Sequence, residues 1–192
     1  CKKIFDQYQS YDIGYDGSTS LEKQYNRKMI STVGAVGYLI TMKNILLNAK
    51  ANNLNKILVF DDDVILSDDF TSDVVTKMSN IPTTWNLLRL GTSQYSTSGI
   101  NKHQALKDGY YQTPNCTDGS FAIGYNSRTF DILLDEIEKF NISFDSGPLR
   151  AVNAKLGEDY TVYPYLVVAD VSVSDTGNDR HIMDMSKTLG WN

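Results

Sequence analysis

The fold prediction starts from residues 56–66, KILVFDDDVIL. The four consecutive apolar residues Ile57–Phe60 are followed directly by three aspartates. An apolar run of this kind is typical of a strand that is buried on both faces inside a parallel sheet covered by helices. Ligands of open α/β sheets bind at the carboxyl edge of the strands. We therefore expect Asp61, Asp62 and Asp63 to lie at a ligand-binding edge of the sheet.

The three aspartates predict either a metal site or a solvated acidic loop. In an extended backbone the side chains of Asp61 and Asp63 point to the same side, roughly 6–7 Å apart. Neighbouring carboxylates repel one another, and a divalent cation is the simplest counter-charge. Mg²⁺ commonly takes one or two protein carboxylates and completes its shell with substrate phosphates and water. The metal interpretation therefore implies a diphosphate ligand, whereas the acidic-loop interpretation implies none.

The composition is that of one globular domain covering residues 1–192. With 41% hydrophobic and 21% charged residues, the chain is unlike disordered or fibrous proteins. Its formal charge of −5 leaves no excess of lysine and arginine, so nucleic acid is not expected as a partner. No apolar run reaches the roughly 18 residues of a membrane span, and no signal peptide is recognised. With only 2 cysteines as well, the sequence predicts a cytoplasmic protein without a membrane span.

Helix and strand patterns alternate along the chain. A helix is predicted from Val33 to about Asn52, with Ser31 or Thr32 as its cap. Strands are predicted at 56–60, 87–90, 120–125 and 162–169, and further helices at 67–79, from 126 or 127, and at 149–155. Residues 92–114 have little periodicity and are predicted to form irregular binding loops. This order of elements predicts an α/β fold with a mostly parallel sheet flanked by helices.

Five segments in this order carry a resemblance to a known family: Gly34–Gly37 at a helix start, Ile57–Val64, Leu88–Gly91, Gly119–Ile123 and Pro164–Asp175. Together they resemble the GT-A glycosyltransferases, and in detail family 25, the lipopolysaccharide-type and collagen galactosyltransferases. The resemblance implies a Rossmann-like GT-A fold whose first strand would lie before Cys1. It also implies metal-dependent, inverting transfer of a sugar from a nucleotide sugar, first of all a UDP-sugar, to a hydroxyl of a glycan or glycoprotein.

The same resemblance implies roles for the three aspartates. Asp63 would bind Mn²⁺ or Mg²⁺ directly, and Asp61 would lie beside the ribose or a metal-bound water. Asp62 would lie in the donor site without a separate role. The candidates to complete the metal shell are His181, Asp170 and Asp175. For His181, an ordinary surface histidine is the alternative.

Other residues are candidates for contact with the two substrates. Asp16 and Gly17 follow a predicted short strand and would meet the base or ribose of the donor. Lys28 would reach the phosphates, with a solvated surface position as the alternative. Tyr95, Tyr110 and Tyr111 in the irregular stretch are candidates to stack on an acceptor sugar.

An inverting transfer needs a carboxylate that takes the proton of the acceptor hydroxyl. The resemblance implies Asp145 as the first candidate for this base, because it follows the strand 119–125 and its helix, where GT-A galactosyltransferases place their acidic base. Asp118 is the second candidate. The alternative for Asp145 is a plain helix cap. A helix N-terminus lowers the pKa of a carboxylate, which would weaken Asp145 as a base.

Two other functions stay open at this point. A haloacid-dehalogenase-type phosphatase also places Asp-x-Asp after an apolar strand, but Ile65 stands where that motif has Thr or Val. A non-catalytic, metal-dependent sugar-binding domain would retain glycans without binding nucleotides. Phosphate release from simple esters would indicate the first, and glycan retention without turnover would indicate the second.

Overall fold

The computed structural model of the chain describes residues 30, 32–171, 182–189 and 191. The helices in this part are α1 (Val33–Ala51), α2 (Phe70–Met78), α3 (Lys102–Asp108), α4 (Phe130–Ile137), α5 (Arg150–Leu156) and α6 (Ile182–Leu189). The strands are β1 (Lys56–Phe60), β2 (Val64–Leu66), β3 (Leu87–Arg89), β4 (Tyr110–Gln112), β5 (Ala122–Asn126), β6 (Asp159–Val162) and β7 (Val167–Ala169). The chain therefore has a mixed α/β fold, as expected.

The prediction of a mostly parallel sheet is wrong. The main sheet has the strand order β1-β5-β3-β6-β4. The pairs β1/β5, β5/β3 and β6/β4 are antiparallel, and β3/β6 is parallel. Successive apolar strands separated by a helix predicted direct parallel neighbours, but β5 lies between β1 and β3 and runs against both. The main sheet is therefore mostly antiparallel.

Strand β1 is not buried on both faces, contrary to expectation. Within the described part of the chain it forms one edge of the main sheet. Its residues Ile57 and Val59 pack against the core, whereas Leu58 is 47% exposed and Phe60 39% exposed. The strand that is buried throughout is β3, at the centre of the sheet. A central strand has neighbours at both edges and layers on both faces, which an edge strand lacks.

Apolar residues of the main sheet alternate between two core clusters, as the period of a strand requires. Leu87, Ile123 and Tyr125 face the first cluster, which contains buried residues of α1, α4 and α5. Leu88 and Ala122 face the second cluster, which contains buried residues of β7 and α6. The sheet thus separates a layer of three helices from a layer formed by β7 and α6.

Helix α1 agrees with its prediction. It begins after Thr32, whose hydroxyl accepts a hydrogen bond from the Ala35 backbone N–H at 3.1 Å. It ends at Ala51, one residue before the predicted end. Its buried residues Val36, Leu39, Met42, Leu46 and Ala49 recur at helical spacing on one face. This face anchors the helix on the first core cluster.

The predicted final strand at 162–169 is two strands in different sheets. β6 lies in the main sheet, whereas β7 pairs with β2 in a two-stranded antiparallel sheet. The small sheet joins the main one at Leu90, whose carbonyl accepts the backbone N–H groups of Leu166 and Val167 at 2.9 and 3.2 Å. A Cβ on Gly91 would collide with the Val167 carbonyl. Glycine at position 91 is therefore what allows the two sheets to approach.

The stretch 92–114 is less irregular than expected. It contains α3 and β4, and the α3 helix ends in Gly109, whose φ of 82° is left-handed. The Asn101 side chain caps the helix by accepting the Gln104 N–H at 3.1 Å. Both elements are short, so their residues produced no clear periodicity.

Across the described residues, no helix has the length and apolar character that a membrane crossing requires.

One ion pair is buried at the centre of the main sheet. Arg89 on β3 and Asp159 on β6 are each 1% exposed. The guanidinium donates to both carboxylate oxygens of Asp159, at 2.8 to 3.2 Å, and also to the Gly119 carbonyl at 3.2 Å. Burial opposes the charge of Arg89, but Asp159 more than restores it and raises the pKa of Arg89 above its ordinary value. The pair ties the parallel strands β3 and β6 to the loop before β5.

Replacing Asp159 by asparagine is expected to destabilise the protein by about 3–5 kcal/mol, because it leaves the Arg89 charge buried and uncompensated. Urea unfolding at neutral pH measures this loss. The matched control is Glu138→Ala, which removes the exposed partner of Lys43 and should cost at most about 1 kcal/mol. Equal effects of the two substitutions would contradict the central role of the buried pair.

Candidate active site

Asp61 lies directly after β1 and beside the start of β5. Its backbone N–H donates to the Phe121 carbonyl at 2.8 Å, which extends the antiparallel ladder by one step. Its Oδ1 accepts a hydrogen bond from the Tyr38 hydroxyl at 3.1 Å. The same hydroxyl lies 3.2 Å from the Ser120 carbonyl. Helix α1 therefore supplies a side chain that connects Asp61 to the loop before β5.

Burial raises the pKa of Asp61 to about 6. The hydrogen bond from Tyr38 opposes this rise, and the nearby charges of Asp63 and Asp62 add to it. The ionised form of Asp61 is thus disfavoured in the folded protein. A cation next to Asp61 would reverse this effect, because an opposite charge favours the ionised form.

Asp62 and Asp63 are exposed and follow Asp61 at the entry to β2. The Asp63 carbonyl accepts the Asp170 backbone N–H at 2.8 Å. This contact follows from the register of the small sheet, in which Val64 pairs with Ala169. The structure therefore brings the backbone of Asp170, one of the candidates for the metal shell, next to that of Asp63.

The metal candidates among the described residues, Asp61, Asp63 and Asp170, offer oxygen atoms only. Carboxylate oxygens are the ligands that Mg²⁺ and Mn²⁺ prefer, so the residue types of Asp61 and Asp63 fit such an ion. Within the ranges that the structure describes, no three side chains of His, Cys, Asp or Glu form a ligand group. A shell with one or two protein carboxylates and a diphosphate does not need three.

Asp145 and Asp118 meet at Gly119. The Gly119 N–H donates to Oδ2 of Asp145 at 3.1 Å, and the Ser143 hydroxyl donates to Oδ1 at 2.9 Å. Asp118 accepts from Arg150 at 2.6 Å, and the two side chains form a half-buried ion pair. Burial and the Asp145 charge raise the pKa of Asp118, while Arg150 acts in the opposite direction.

The Asp145 side chain makes no capping hydrogen bond to the helical turn that it begins. Asp145 does begin a helical segment, a π-type turn over Asp145–Leu149 that leads into α5. Its two carboxylate oxygens, however, accept hydrogen bonds from Gly119 and Ser143. Gly119 comes from the loop before β5, and Ser143 precedes the helical turn. The tertiary contact with Gly119 determines the orientation of the Asp145 side chain.

Residues 118–121 connect the two groups of carboxylates. Asp118 and Ser93 exchange backbone hydrogen bonds of 2.9 and 3.3 Å, and Gly119 bonds Asp145. The next two residues contact the other group, because the Ser120 carbonyl faces Tyr38 and the Phe121 carbonyl faces Asp61. Gly119 has a left-handed φ of 86°, and a Cβ there would press on the Phe121 ring and the Ser93 backbone. This segment thus requires glycine at position 119.

Four residues were not predicted: Tyr38, Ser143 and Arg150, which donate hydrogen bonds to these carboxylates, and Arg89, which holds the Gly119 carbonyl. One of them left a signal, because an arginine inside an apolar strand such as 87–90 needs a buried counter-charge. Tyr38 left none, since a tyrosine on an otherwise apolar helix is consistent with plain packing. The predicted donor residues Asp16, Gly17 and Lys28 lie outside the described residues. The metal candidates Asp175 and His181 lie outside them as well.

No protein-family model matches the chain, and no characterised protein matches it significantly. We therefore infer the function from the residues of the site and their geometry.

Asp61→Asn is expected to stabilise the metal-free protein at pH 7.5 and to have little effect at pH 4. The folded pKa of about 6 lies above the ordinary value of 3.8, so the folded state favours the protonated carboxyl. Wild-type stability therefore falls as the pH rises through this range, and the asparagine variant avoids the loss. The difference between these two pKa values corresponds to about 3 kcal/mol of stability. Solvent screening reduces the expected difference in stability between wild type and variant to about 1–2 kcal/mol.

Denaturant unfolding at the two pH values, in the presence of a chelator, measures the effect. Asp62→Asn is the matched control, since it removes the same charge from the neighbouring exposed position. A pH-independent difference between wild type and Asp61→Asn would contradict the raised pKa.

Proposed function

We propose that the chain is a metal-dependent glycosyltransferase of the GT-A type, related to family 25. It would move a sugar from a nucleotide sugar, first of all a UDP-sugar, to a hydroxyl of a glycan or glycoprotein. One observation supports this proposal above the others: the Tyr38 hydroxyl contacts both Asp61 and the Ser120 carbonyl. Residues 118–121 thereby link two groups that are far apart in sequence: the candidate metal ligands Asp61 and Asp63, and the candidate bases Asp118 and Asp145.

In this proposal Asp61 and Asp63 hold Mn²⁺ or Mg²⁺ together with the diphosphate of the donor. When bound, the ion supplies Lewis-acid stabilisation of the charge that develops on the diphosphate leaving group. Tyr38 orients the Asp61 carboxylate through its hydrogen bond. Burial raises the pKa of Tyr38, so the hydroxyl keeps its proton and remains a donor.

Asp145 is the preferred base. Hydrogen bonds from Gly119 and Ser143 stabilise its carboxylate and orient it. Each oxygen still has a lone pair for the proton of the acceptor hydroxyl. Asp118 is the second choice, because its negative charge is paired with the Arg150 guanidinium, whereas the hydrogen-bond donors to Asp145 are neutral. A carboxylate on the face of the sugar opposite the diphosphate corresponds to a single displacement with inversion.

The donor site is tested by thermal unfolding with UDP and Mn²⁺. We expect UDP to raise the Tm by about 5 °C or more at concentrations near 100 times its Kd, but only when Mn²⁺ is present. Asp63→Ala should abolish this shift because it removes a metal ligand. Asp62→Ala is the matched control and should keep at least part of the shift. A UDP effect that is the same in chelator would contradict the metal-bridged donor site.

The two alternative functions, a phosphatase and a sugar-binding domain, predict different results for the same purified protein. Metal-dependent phosphate release from p-nitrophenyl phosphate, lost in Asp61→Asn, would indicate a phosphatase. Metal-dependent retention on glycan arrays without any UDP effect would indicate a sugar-binding domain. Either result would replace the proposal of glycosyl transfer.

Asp145→Asn is expected to lower the rate of UDP release from an accepted UDP-sugar by about 10²-fold or more, because general bases contribute 10²–10⁴-fold. The variant should keep the Tm shift with UDP and Mn²⁺, since Asp145 is not assigned to the donor site. Coupled detection of UDP with a panel of UDP-sugars measures the rate. The parallel variant Asp118→Asn should lose less activity, and the reverse order would make Asp118 the base.

A further inference from the structure

A small cleft lies beside the Ser93–Asp118 bridge. It has a volume of about 220 Å³, and its lining includes four tyrosines and two lysines. The tyrosines are Tyr95, Tyr111, Tyr163 and Tyr165, and the lysines are Lys102 and Lys187. Tyr95 and Tyr111 were expected at an acceptor sugar from the sequence. Tyr110, the third of that group, instead packs against Tyr160, with ring centroids 5.5 Å apart.

Three of the tyrosines form a fixed aromatic wall. The rings of Tyr111 and Tyr163 lie 6.0 Å apart, and those of Tyr163 and Tyr165 lie 5.7 Å apart, all edge to face. The hydroxyls of Tyr111 and Tyr165 are hydrogen-bonded at 3.0 Å. Tyrosine combines an apolar ring with a polar tip, so such a wall fits a ligand with both C–H faces and hydroxyls. A sugar ring has this combination.

The two lysines add positive charge at the same cleft. Lys102 is the first residue of α3 and Lys187 lies in α6, and both are exposed. Neither belongs to any of the ion pairs found among the described residues. In a chain of formal charge −5, two lysines at one cleft that form no ion pair with a described carboxylate favour an anionic ligand.

The volume limits the size of that ligand. Pockets for drug-sized molecules measure about 300–1,000 Å³, and this cleft is smaller, at about 220 Å³. It suits one monosaccharide ring better than a whole nucleotide. We propose that the cleft binds a single sugar residue that carries a carboxylate or a phosphate, with its ring against the tyrosines and its charge beside Lys102 and Lys187.

The cleft is joined to the candidate active site through Gln94. Gln94 belongs to its lining, and its side-chain oxygen accepts the Thr117 hydroxyl at 2.6 Å. The preceding residue, Ser93, exchanges backbone hydrogen bonds with Asp118. Hydrogen bonds of two adjacent residues, Ser93 and Gln94, thus connect the cleft to the segment that carries Asp118. The binding site stands on the cleft alone, and its role as the acceptor site rests on the proposed function.

Calorimetry or saturation-transfer NMR with four probes tests the proposal, in chelator and without UDP. The probes are D-glucuronate, D-glucose 6-phosphate, methyl glucoside and UMP. We expect at least one anionic sugar to bind more tightly than methyl glucoside and UMP. Lys102→Met and Lys187→Met should each weaken its binding by up to about fivefold, the scale of an exposed ion pair.

Lys107→Met is the matched control, because Lys107 is an exposed residue of the same helix as Lys102 and does not line the cleft. It should leave the affinity unchanged. Tyr163→Leu should weaken all sugar binding, and its circular dichroism spectrum reports whether the fold is retained. If that variant does not fold, the lysine variants still decide.

Three results would overturn the proposal: no sugar binding at millimolar concentration, equal binding of neutral and anionic sugars, or tighter binding of UMP. Insensitivity to both lysine substitutions would overturn it too. Asp63→Ala separates this proposal from the function proposed above, since it should abolish the UDP–Mn²⁺ effect and leave sugar binding intact. Either site can thus fail without the other.

Discussion

The buried ion pair between Arg89 and Asp159 is the interaction on which the rest of the structure depends. Two charges with 1% exposure remain in the interior only because each neutralises the other and both are hydrogen-bonded. The pair fixes the parallel strands β3 and β6 side by side. The remaining guanidinium nitrogen reaches the Gly119 carbonyl at 3.2 Å. The same residue therefore stabilises the centre of the sheet and holds the loop from which the site is built.

That loop explains how carboxylates distant in sequence come together. Because β5 runs antiparallel to β1 and β3, its first residues lie beside the last residues of both neighbours. Backbone groups of residues 118–121 then contact Asp61 after β1 and Asp145 before α5. A parallel β5 would bring its last residues, at the other end of the strand, to this edge. The antiparallel pairing that contradicts the predicted topology is thus what assembles the candidate site.

The protein's own groups compensate the charges of the site unequally. Asp118 has Arg150 as a partner, and Asp145 has hydrogen bonds to both oxygens. Asp61 has the hydrogen bond from the Tyr38 hydroxyl, but burial raises its pKa to about 6, and the nearby charges of Asp63 and Asp62 add to this rise. A carboxylate that is costly to ionise and lies beside other carboxylates gains most from a cation. This asymmetry agrees with the proposal of a metal at the first group and a base at the second.

The sequence by itself determined the local features of this protein. Helix α1 with its Thr32 cap, the apolar strands at 57–60 and 87–89, and the helical start at Asp145 all follow from short-range patterns of side chains. The candidate residues Asp61, Asp118 and Asp145 were also recognisable, since acidic residues at the ends of elements are visible without a fold. Only the tertiary structure decided the strand order, the exposure of Leu58 and Phe60, and the contacts of Tyr38, Arg89 and Gly119. Each of these depends on which strand lies next to which, and pairing between distant segments leaves no mark in the local periodicity of either one.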